Sequence, residues 1–311
     1  MQPLRGVNLG GWLVLEKWMT PELYEGSDAL DEYHLLQDKP DLSWLDHHRD
    51  TFITEDDFKW LASHGITHVR LPVGWWLFDA KPPYKSATET FFKALLWADA
   101  HDIKVILDVH AAPGCQNGFD NGGLQGVIDW PKGDNVEQTL RFIETLVEKT
   151  KSWTCVTGIE LLNEPFKTVD MNLIQDFYLK GYEIVRRIKG DDYQIIMHDG
   201  FRLDAWEDFF TRNALKNVYL DTHMYHTFGE IHEDANFDAF KALYEKRLNA
   251  IKKVQAFVPV VVGEWSNPLL SEQFNTDPRP TDDMLRNDLF KLQTDIFNHA
   301  DGWFFWSYKL S

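Results

Sequence analysis

The stretch GIELLNEPF, residues 158–166, has the pattern of a β-strand that stops at a proline. Apolar residues dominate its first half, and Pro165 ends the pairing because it has no backbone N–H to donate. Alternation along a strand places Glu160 and Glu164 on the same face. Four residues at about 3.3 Å each separate them by roughly 13 Å, so only Glu164 reaches the carboxyl end of the predicted strand.

Seven other stretches share this character, and amphipathic segments lie between most of them. The eight predicted strands are 4–10, 67–75, 104–112, 158–165, 193–200, 218–225, 258–266 and 302–309. The predicted helices are 54–64, 88–101, 135–151, 171–189, 237–255 and 281–299. Strands that alternate with helices pair in parallel, so eight such units predict an α/β fold, a closed (β/α)8 TIM barrel.

The alternative is an open doubly wound sheet, which usually carries a G-x-G-x-x-G turn after its first strand. GVNLGGW (6–12) has three glycines at a different spacing, and a long excursion over residues 11–50 follows it. We find no interdomain linker and expect a single (β/α)8 domain over 1–311. The last predicted strand ends near Lys309, so the final helix is missing or truncated, and the excursion or a partner would cover the exposed face.

Composition restricts the partners. The net charge of −18 argues against nucleic acid and anionic membranes. No window approaches 18 uninterrupted apolar residues, so we expect no membrane span. The N-terminus lacks the pattern of a secretory signal, which predicts a cytoplasmic protein, or a secreted one if processing occurs upstream. With Cys115 and Cys155 as the two cysteines, we expect no disulfide.

The carboxyl ends of the predicted strands carry a set of polar and aromatic residues, and in (β/α)8 barrels this end holds the active site. The set comprises Arg70, His110, Asn163, Glu164, His223, Tyr225, His226, Glu264 and Trp306.

Glycoside hydrolysis uses a pair of carboxyl groups, and two such groups from different strands lie at this rim. Arg70 and Tyr225 beside Glu264 would keep that carboxylate ionised, as a nucleophile requires. Glu164, partly buried and close to a like charge, would hold its proton and act as the acid. Asn163 is placed to bond the sugar 2-hydroxyl, whereas Glu160 would lie lower in the barrel and pair with a polar or basic group.

A metal hydrolase is the competing chemistry, with His110, His223, His226 and the acids as ligands. The sequence has no H-x-H after the first strand and no lysine at the end of the fourth. A serine hydrolase would need a G-x-S-x-G turn, which does not occur. We therefore expect no metal and no cofactor.

The motifs LNEP and GEW, which end the fourth and seventh predicted strands, resemble glycoside hydrolase family 5. Three further stretches resemble its fungal exo-β-1,3-glucanase branch: RGVNLGGWLVLEKWMTPELYE (5–25), HAAPGCQNGFDNGG (110–123) and GWFFWSYK (302–309). The sequence departs from that branch at Lys17 for a proline, Ala111 for a glycine and Cys115 for a serine.

The resemblance implies that Glu164 is the acid/base and Glu264 the nucleophile of a retaining glycosidase. It implies that the −1 subsite is lined by Arg70, His110, Asn163, His223, Tyr225 and Trp306. Glu16 and Asp120 would bind glycone hydroxyls, and Phe119 and Phe228 would grip the next glucose. We interpret Asn117 and Asn121 as loop-shaping residues.

The implied substrate is a carbohydrate, and the implied reaction is double-displacement cleavage of β-glucosidic bonds, exo-acting on β-1,3-glucan oligosaccharides or other β-glucosides. One alternative keeps the catalytic pair but is a diglycosidase, or a glucosidase that acts on flavonoid, steryl or lipid glycosides. Another is a carbohydrate-binding protein without catalysis.

Overall fold

The computed structural model describes residues 3–227, 236–268 and 282–311. Eight parallel strands pair in chain order, and the last pairs with the first to close a barrel. The predicted (β/α)8 fold is confirmed. The strands are β1 (Leu4–Asn8), β2 (His68–Gly74), β3 (Lys104–Ala111), β4 (Val156–Glu160), β5 (Gln194–His198), β6 (Val218–His223), β7 (Val260–Trp265) and β8 (Gly302–Phe305).

Helices pack around the barrel. They are α1 (Glu32–Asp38), α2 (Ser43–Thr51), α3 (Glu55–Ser63), α4 (Thr88–Ala100), α5 (Asn135–Lys149), α6 (Met171–Lys189), α7 (Glu207–Asn213), α8 (Phe237–Val254) and α9 (Asp282–Phe297). The sequence did not predict α1, α2 or α7, which have only seven to nine residues. The equally short α3 was predicted, and it begins with a capping box formed by Thr54 and Asp57. Among the residues described, no helix is both long and apolar enough to cross a bilayer.

In the part of the chain that the structure describes, no helix follows β8. The last residues instead contact the segment between β1 and β2. The Tyr308 hydroxyl donates to Asp57 at 2.8 Å, and the Ser311 backbone N–H donates to the Met19 carbonyl at 3.1 Å. On the outer face of the barrel, the Arg5 guanidinium lies 5.5 Å from the half-buried Trp303 ring. Met19 belongs to the excursion over residues 11–50 and Asp57 to α3, so both segments contact the end of the chain.

Inward-facing residues stack in layers inside the barrel, as the alternation of side chains requires. The lowest layer is an apolar plug. Its members are Leu4, Ile106, Ile196, Tyr219, Val261 and Phe304. Above it comes a buried polar layer, which on β3, β5 and β6 lies two residues further along the strand. Its members are Asn8, Arg70, Asp108, Glu160, His198 and Asp221. The catalytic candidates lie above this layer, so buried polar and charged side chains lie directly beneath them.

The fourth strand is shorter than the sequence predicted: it ends at Glu160 and not at Pro165. Two backbone bonds continue along the barrel, from Leu161 to Ile196 and from Asn163 to Val109. Glu164 then adopts a φ of 45°, in the left-handed region, which a strand residue cannot have. This turn, and not simple alternation, sets the direction of the Glu164 side chain.

Glu160 lies inside the barrel and contacts a basic group, which confirms the interpretation of this residue. Its carboxylate accepts from Arg70 Nε at 2.7 Å, and both side chains are almost fully buried. We expect Glu160→Ala to lower the free energy of unfolding by about 2–4 kcal/mol, because it leaves a cavity and removes one partner of a buried charge.

Thermal unfolding and hydrolysis rates of the Glu160→Ala variant test this role. Arg70 keeps Asp108 at 3.1 Å and Glu264 at 2.9 Å, so activity should fall far less than in a variant of Glu164. Glu148→Ala, at an exposed ion pair on α5, is the control. An unchanged melting temperature would contradict the structural role.

Candidate active site

The two candidate carboxylates meet at the side chain of His223. Its Nδ1 lies 2.7 Å from Glu164 Oε1 and 3.3 Å from Glu264 Oε2. Both oxygens contact one nitrogen, so they are at most about 6 Å apart. Retaining glycosidases separate their carboxyl groups by about 5–5.5 Å, and inverting enzymes by about 6.5–9.5 Å. The geometry fits retention.

Glu264 is held on both oxygens. Arg70 Nη1 donates to Oε1 at 2.9 Å, and the Tyr225 hydroxyl donates to Oε2 at 2.8 Å. Arg70 also donates through Nη2 to Asn163 Oδ1 at 2.8 Å. The same guanidinium therefore orients the Glu264 carboxylate and the Asn163 amide. The NH₂ group of Asn163 takes no part in this contact.

The third strand and the loop after it complete this side of the site. His110 Nδ1 bonds Asp108 at 2.6 Å, and its ring stacks on Trp306 with 5.5 Å between centroids. Asn121 donates from Nδ2 to Glu164 Oε2 at 3.1 Å. The interpretation of Asn121 as a loop-shaping residue is therefore incomplete, because it contacts the acid/base candidate. Asn117 does shape the loop, since it accepts from the Phe119 backbone N–H at 2.9 Å.

These groups form the floor of a cavity of about 900 Å³. The predicted site residues that line it are Glu16, Phe119, Asp120, Glu164, His223, Tyr225, Glu264 and Trp306. Arg70, His110 and Asn163 are buried beneath it. Phe228 lies outside the described residues.

His226 was grouped with the rim residues and with the possible metal ligands, and this was wrong. Its Nδ1 bonds the Tyr244 hydroxyl at 3.0 Å, and its Nε2 bonds the Pro268 carbonyl at 2.9 Å. Tyr225 contacts Glu264, whereas His226, three positions after the inward-facing His223, lies on the opposite side of the backbone and contacts α8.

At the other end of the cavity lie Glu16 and Asp120. Glu16 is buried and accepts from Trp18 Nε1 at 2.8 Å through one oxygen. Burial raises the pKa of Asp120, and backbone N–H groups of Asn121 and Lys17 oppose that shift. A proline at position 17 has no N–H, so this departure from the family branch adds a donor to the site. Cys115 and Cys155 are both free and buried.

Several residues in contact with the site were missed by sequence reasoning, namely Trp18, Asp108, His198 and Asp221. The last three share one signal: each occupies the inward position of a strand at or below the rim. Asp221 also explains the glycine of GEW. Gly263 N–H donates to Asp221 Oδ1 at 2.6 Å, and a Cβ at position 263 would overlap that carboxylate.

The predicted division of pKa values was wrong for the substrate-free site. Burial raises the pKa of Glu264, although His223 and Arg70 oppose it. Burial also acts to raise the pKa of Glu164, but the hydrogen bond and charge of His223 outweigh it, so that pKa lies below its usual value. Burial acts to lower the pKa of His223, yet Glu264 and Asp221 raise it well above the usual value. The proton thus resides on His223, whose position between the carboxyl groups the sequence did not reveal.

Two groups of side chains among the described residues have the composition of a metal site: Glu164, His198 and His223, and Glu160, Asp221 and His223. In the first, the Gly200 N–H donates to His198 Nδ1 at 3.0 Å, so Nε2 carries the proton and offers no lone pair. In the second, Glu160 binds Arg70 and His223 binds Glu164. The hydrogen bonds of both groups thus compete with a metal, and the expected absence of a metal stays a prediction.

Comparison with known proteins agrees with this geometry. The family model described as "Cellulase (glycosyl hydrolase family 5)" matches residues 35–309. A probable glucan 1,3-beta-glucosidase A of Emericella nidulans is 40% identical over 285 residues, which are 86% of this chain and 68% of that relative. A glucan 1,3-beta-glucosidase of Blumeria graminis is 37% identical over 359 aligned positions, covering 99% of this chain and 82% of that relative.

Solved structures show the same fold. The crystal structure of a rutinosidase from Aspergillus niger superposes with a TM-score of 0.79 at 23% identity, over 100% of this chain and 91% of the other. The structure called AoRut gives a TM-score of 0.86 at 21% identity, over 100% and 90%. At these identities the likeness concerns the fold alone. The family match and the curated relatives show that the chain belongs to glycosyl hydrolase family 5.

Proposed function

We propose that this glycosidase is a retaining, exo-acting β-glucosidase, with β-1,3-linked gluco-oligosaccharides as its substrate class. The position of His223 Nδ1 within 3.3 Å of both carboxylates carries the assignment of retention. The linkage follows the relatives, whose names describe glucan 1,3-beta-glucosidases. The cytoplasmic location expected from the sequence stays a prediction.

In the first half-reaction, Glu264 attacks the anomeric carbon while Glu164 protonates the leaving oxygen. Arg70 and Tyr225 hold Glu264 on both oxygens and aim it. The proton starts on His223, and Glu264 is the largest contributor to its raised pKa. As the ester forms, the charge of Glu264 disappears, and His223 releases its proton along the 2.7 Å bond to Glu164. Attack and protonation are thereby coupled.

In the second half-reaction, Glu164 accepts a proton from water, the water oxygen bonds the anomeric carbon, and the bond to Glu264 breaks. Glu264 regains its charge, the pKa of His223 rises again, and the proton on Glu164 returns to His223 along the 2.7 Å contact. The free enzyme is restored with retention of configuration.

Two buried polar atoms without a hydrogen-bond partner among the described residues are available for the glycone. Asn163 Nδ2 is a free donor because Arg70 occupies the amide oxygen, and it suits the sugar 2-hydroxyl. Glu16 Oε1 is a free acceptor because Trp18 occupies the other oxygen. A bound sugar would satisfy both, which is how a polar subsite gains specificity.

A substrate panel tests the proposal. We expect laminaribiose and laminaritriose to be cut from the non-reducing end, with β-glucose as the first anomer seen by NMR spectroscopy. Cellobiose should be cut more slowly, and a rutinoside should yield no disaccharide. Release of a disaccharide from the rutinoside would identify a diglycosidase instead, and no hydrolysis of any β-glucoside would favour a carbohydrate-binding protein.

A further inference from the structure

His198 lies at the end of β5, directly beneath the catalytic carboxylates, and is fully buried. Its ring is edge-to-face with that of His223, with 4.5 Å between centroids. The Gly200 backbone N–H donates to Nδ1 at 3.0 Å. A backbone N–H can only donate, so Nδ1 must be the acceptor and Nε2 must carry the hydrogen.

That Nε2–H has no hydrogen-bond partner among the described residues. A buried donor without a partner is costly and is rare in native proteins. A ring nitrogen of His198, a ring nitrogen of His223 and an oxygen of Glu164 all lie within 4.8 Å of one another. Because Nδ1 already accepts from Gly200, Nε2 is the nitrogen available to donate to Glu164.

The reaction creates a need for such a donor. In the free site the proton between His223 and Glu164 holds their 2.7 Å contact together. Once that proton has gone to the leaving group, the lone pair of neutral His223 Nδ1 faces an anionic carboxylate, and the contact becomes repulsive. Asn121 still donates to Oε2 of Glu164, but Oε1 has lost its donor.

We propose that His198 is a positioning residue for the second half-reaction, whose Nε2–H donates to Glu164 Oε1 after the proton has left. This inference depends on the proposed retaining mechanism. The donor holds Glu164 as a carboxylate aimed at the incoming water. Without it, Glu164 turns away or takes a proton back, and the glycosyl ester accumulates. His198 contributes little to the first half-reaction, when His223 still donates to Glu164.

The test uses 2,4-dinitrophenyl β-glucoside, whose leaving group needs no acid, so that kcat reports hydrolysis of the glycosyl ester and kcat/KM reports its formation. His198→Asn keeps an acceptor for Gly200 at the place of Nδ1 and removes the distal donor. His198→Gln places an amide N–H near the position of Nε2. The pair differs in the donor at Glu164 while both remain neutral.

For His198→Asn we expect kcat to fall about tenfold, the loss of roughly one hydrogen bond, with kcat/KM within about twofold of the parent. Azide attacks the glycosyl ester without a base, so it should restore kcat and yield β-glucosyl azide. His198→Gln should recover much of kcat without azide. Burst kinetics should show accumulated ester in the Asn variant.

Equal losses of kcat and kcat/KM, or no response of the Asn variant to azide, would overturn the role of His198. An unchanged kcat in that variant would do the same. Failure of the proposed function would give a different result. In that case the parent enzyme would neither hydrolyse the dinitrophenyl glucoside nor form an ester. Melting temperatures of the two variants show whether each is folded at the assay temperature.

Discussion

Glu264→Gln should abolish hydrolysis of every β-glucoside, with a loss of at least about 10⁴-fold in kcat, comparable to the removal of other enzymatic nucleophiles. An amide cannot form the glycosyl ester. The variant should nevertheless be folded, because Arg70 keeps Glu160 at 2.7 Å and Asp108 at 3.1 Å.

The direction of the change in melting temperature of Glu264→Gln can also be predicted. Burial raises the pKa of Glu264, so its charged form is disfavoured inside the protein. A neutral amide of the same shape relieves that cost, and the melting temperature should stay the same or rise, as is common when a catalytic charge is removed. A melting temperature well below that of the parent would show that Glu264 is a structural partner of Arg70.

A mechanism-based label identifies the residue directly. A 2-deoxy-2-fluoro-β-glucosyl fluoride should inactivate the parent enzyme and attach to Glu264, found by peptide mass mapping. Glu264→Gln should take up no label, and Glu148→Gln, on the surface of α5, should be labelled like the parent. A label on any residue other than Glu264 would refute the assignment of the nucleophile.

Glu164→Ala should produce a loss that depends on the leaving group. For laminaribiose, whose leaving alcohol needs a proton, we expect kcat/KM to fall by about 10²–10⁴-fold. For 2,4-dinitrophenyl β-glucoside, kcat/KM should change far less, and kcat should fall because the ester has no base to hydrolyse it. Azide should raise that kcat. Equal losses on both substrates would contradict an acid/base role.

The pH profile of the same variant tests the proton path. In the parent, the basic limb of kcat/KM reflects loss of the proton shared by His223 and Glu164. The pKa of His223 is raised, so this pair stays protonated below the raised pKa and loses its proton as pH increases through it. Glu164→Ala removes the acceptor of that proton, and the basic limb should flatten. An unchanged basic limb would place the essential proton elsewhere.

Much of the barrel could be predicted from the sequence because its signals are local. Each strand is a short apolar run, and α4 to α6, α8 and α9 have the length to show a helical pattern. The predicted boundaries fail where the backbone turns. β4 ends at Glu160, and the positive φ of Glu164 comes from the packing of the rim, which no single stretch encodes.

Part of the candidate site could likewise be predicted from the sequence, and part could not. Position at or just beyond the carboxyl end of a strand was enough to identify Glu164, His223 and Glu264, since these ends meet at one rim of a barrel. It misplaced His226, which lies an odd number of positions after the inward-facing His223 and therefore faces Tyr244 of α8 instead of the site. It overlooked His198 and Asp221, whose neighbours come from other strands.

The sequence alone determined the number and order of the strands, the family resemblance and the identity of the two carboxylates. Where the catalytic proton resides was decided by tertiary structure. His223 from β6, Arg70 from β2 and Asn121 from the loop after β3 converge on Glu164 and Glu264 from far apart in the chain. A pKa depends on burial and on charges a few ångströms away, and those distances exist only once the barrel has closed.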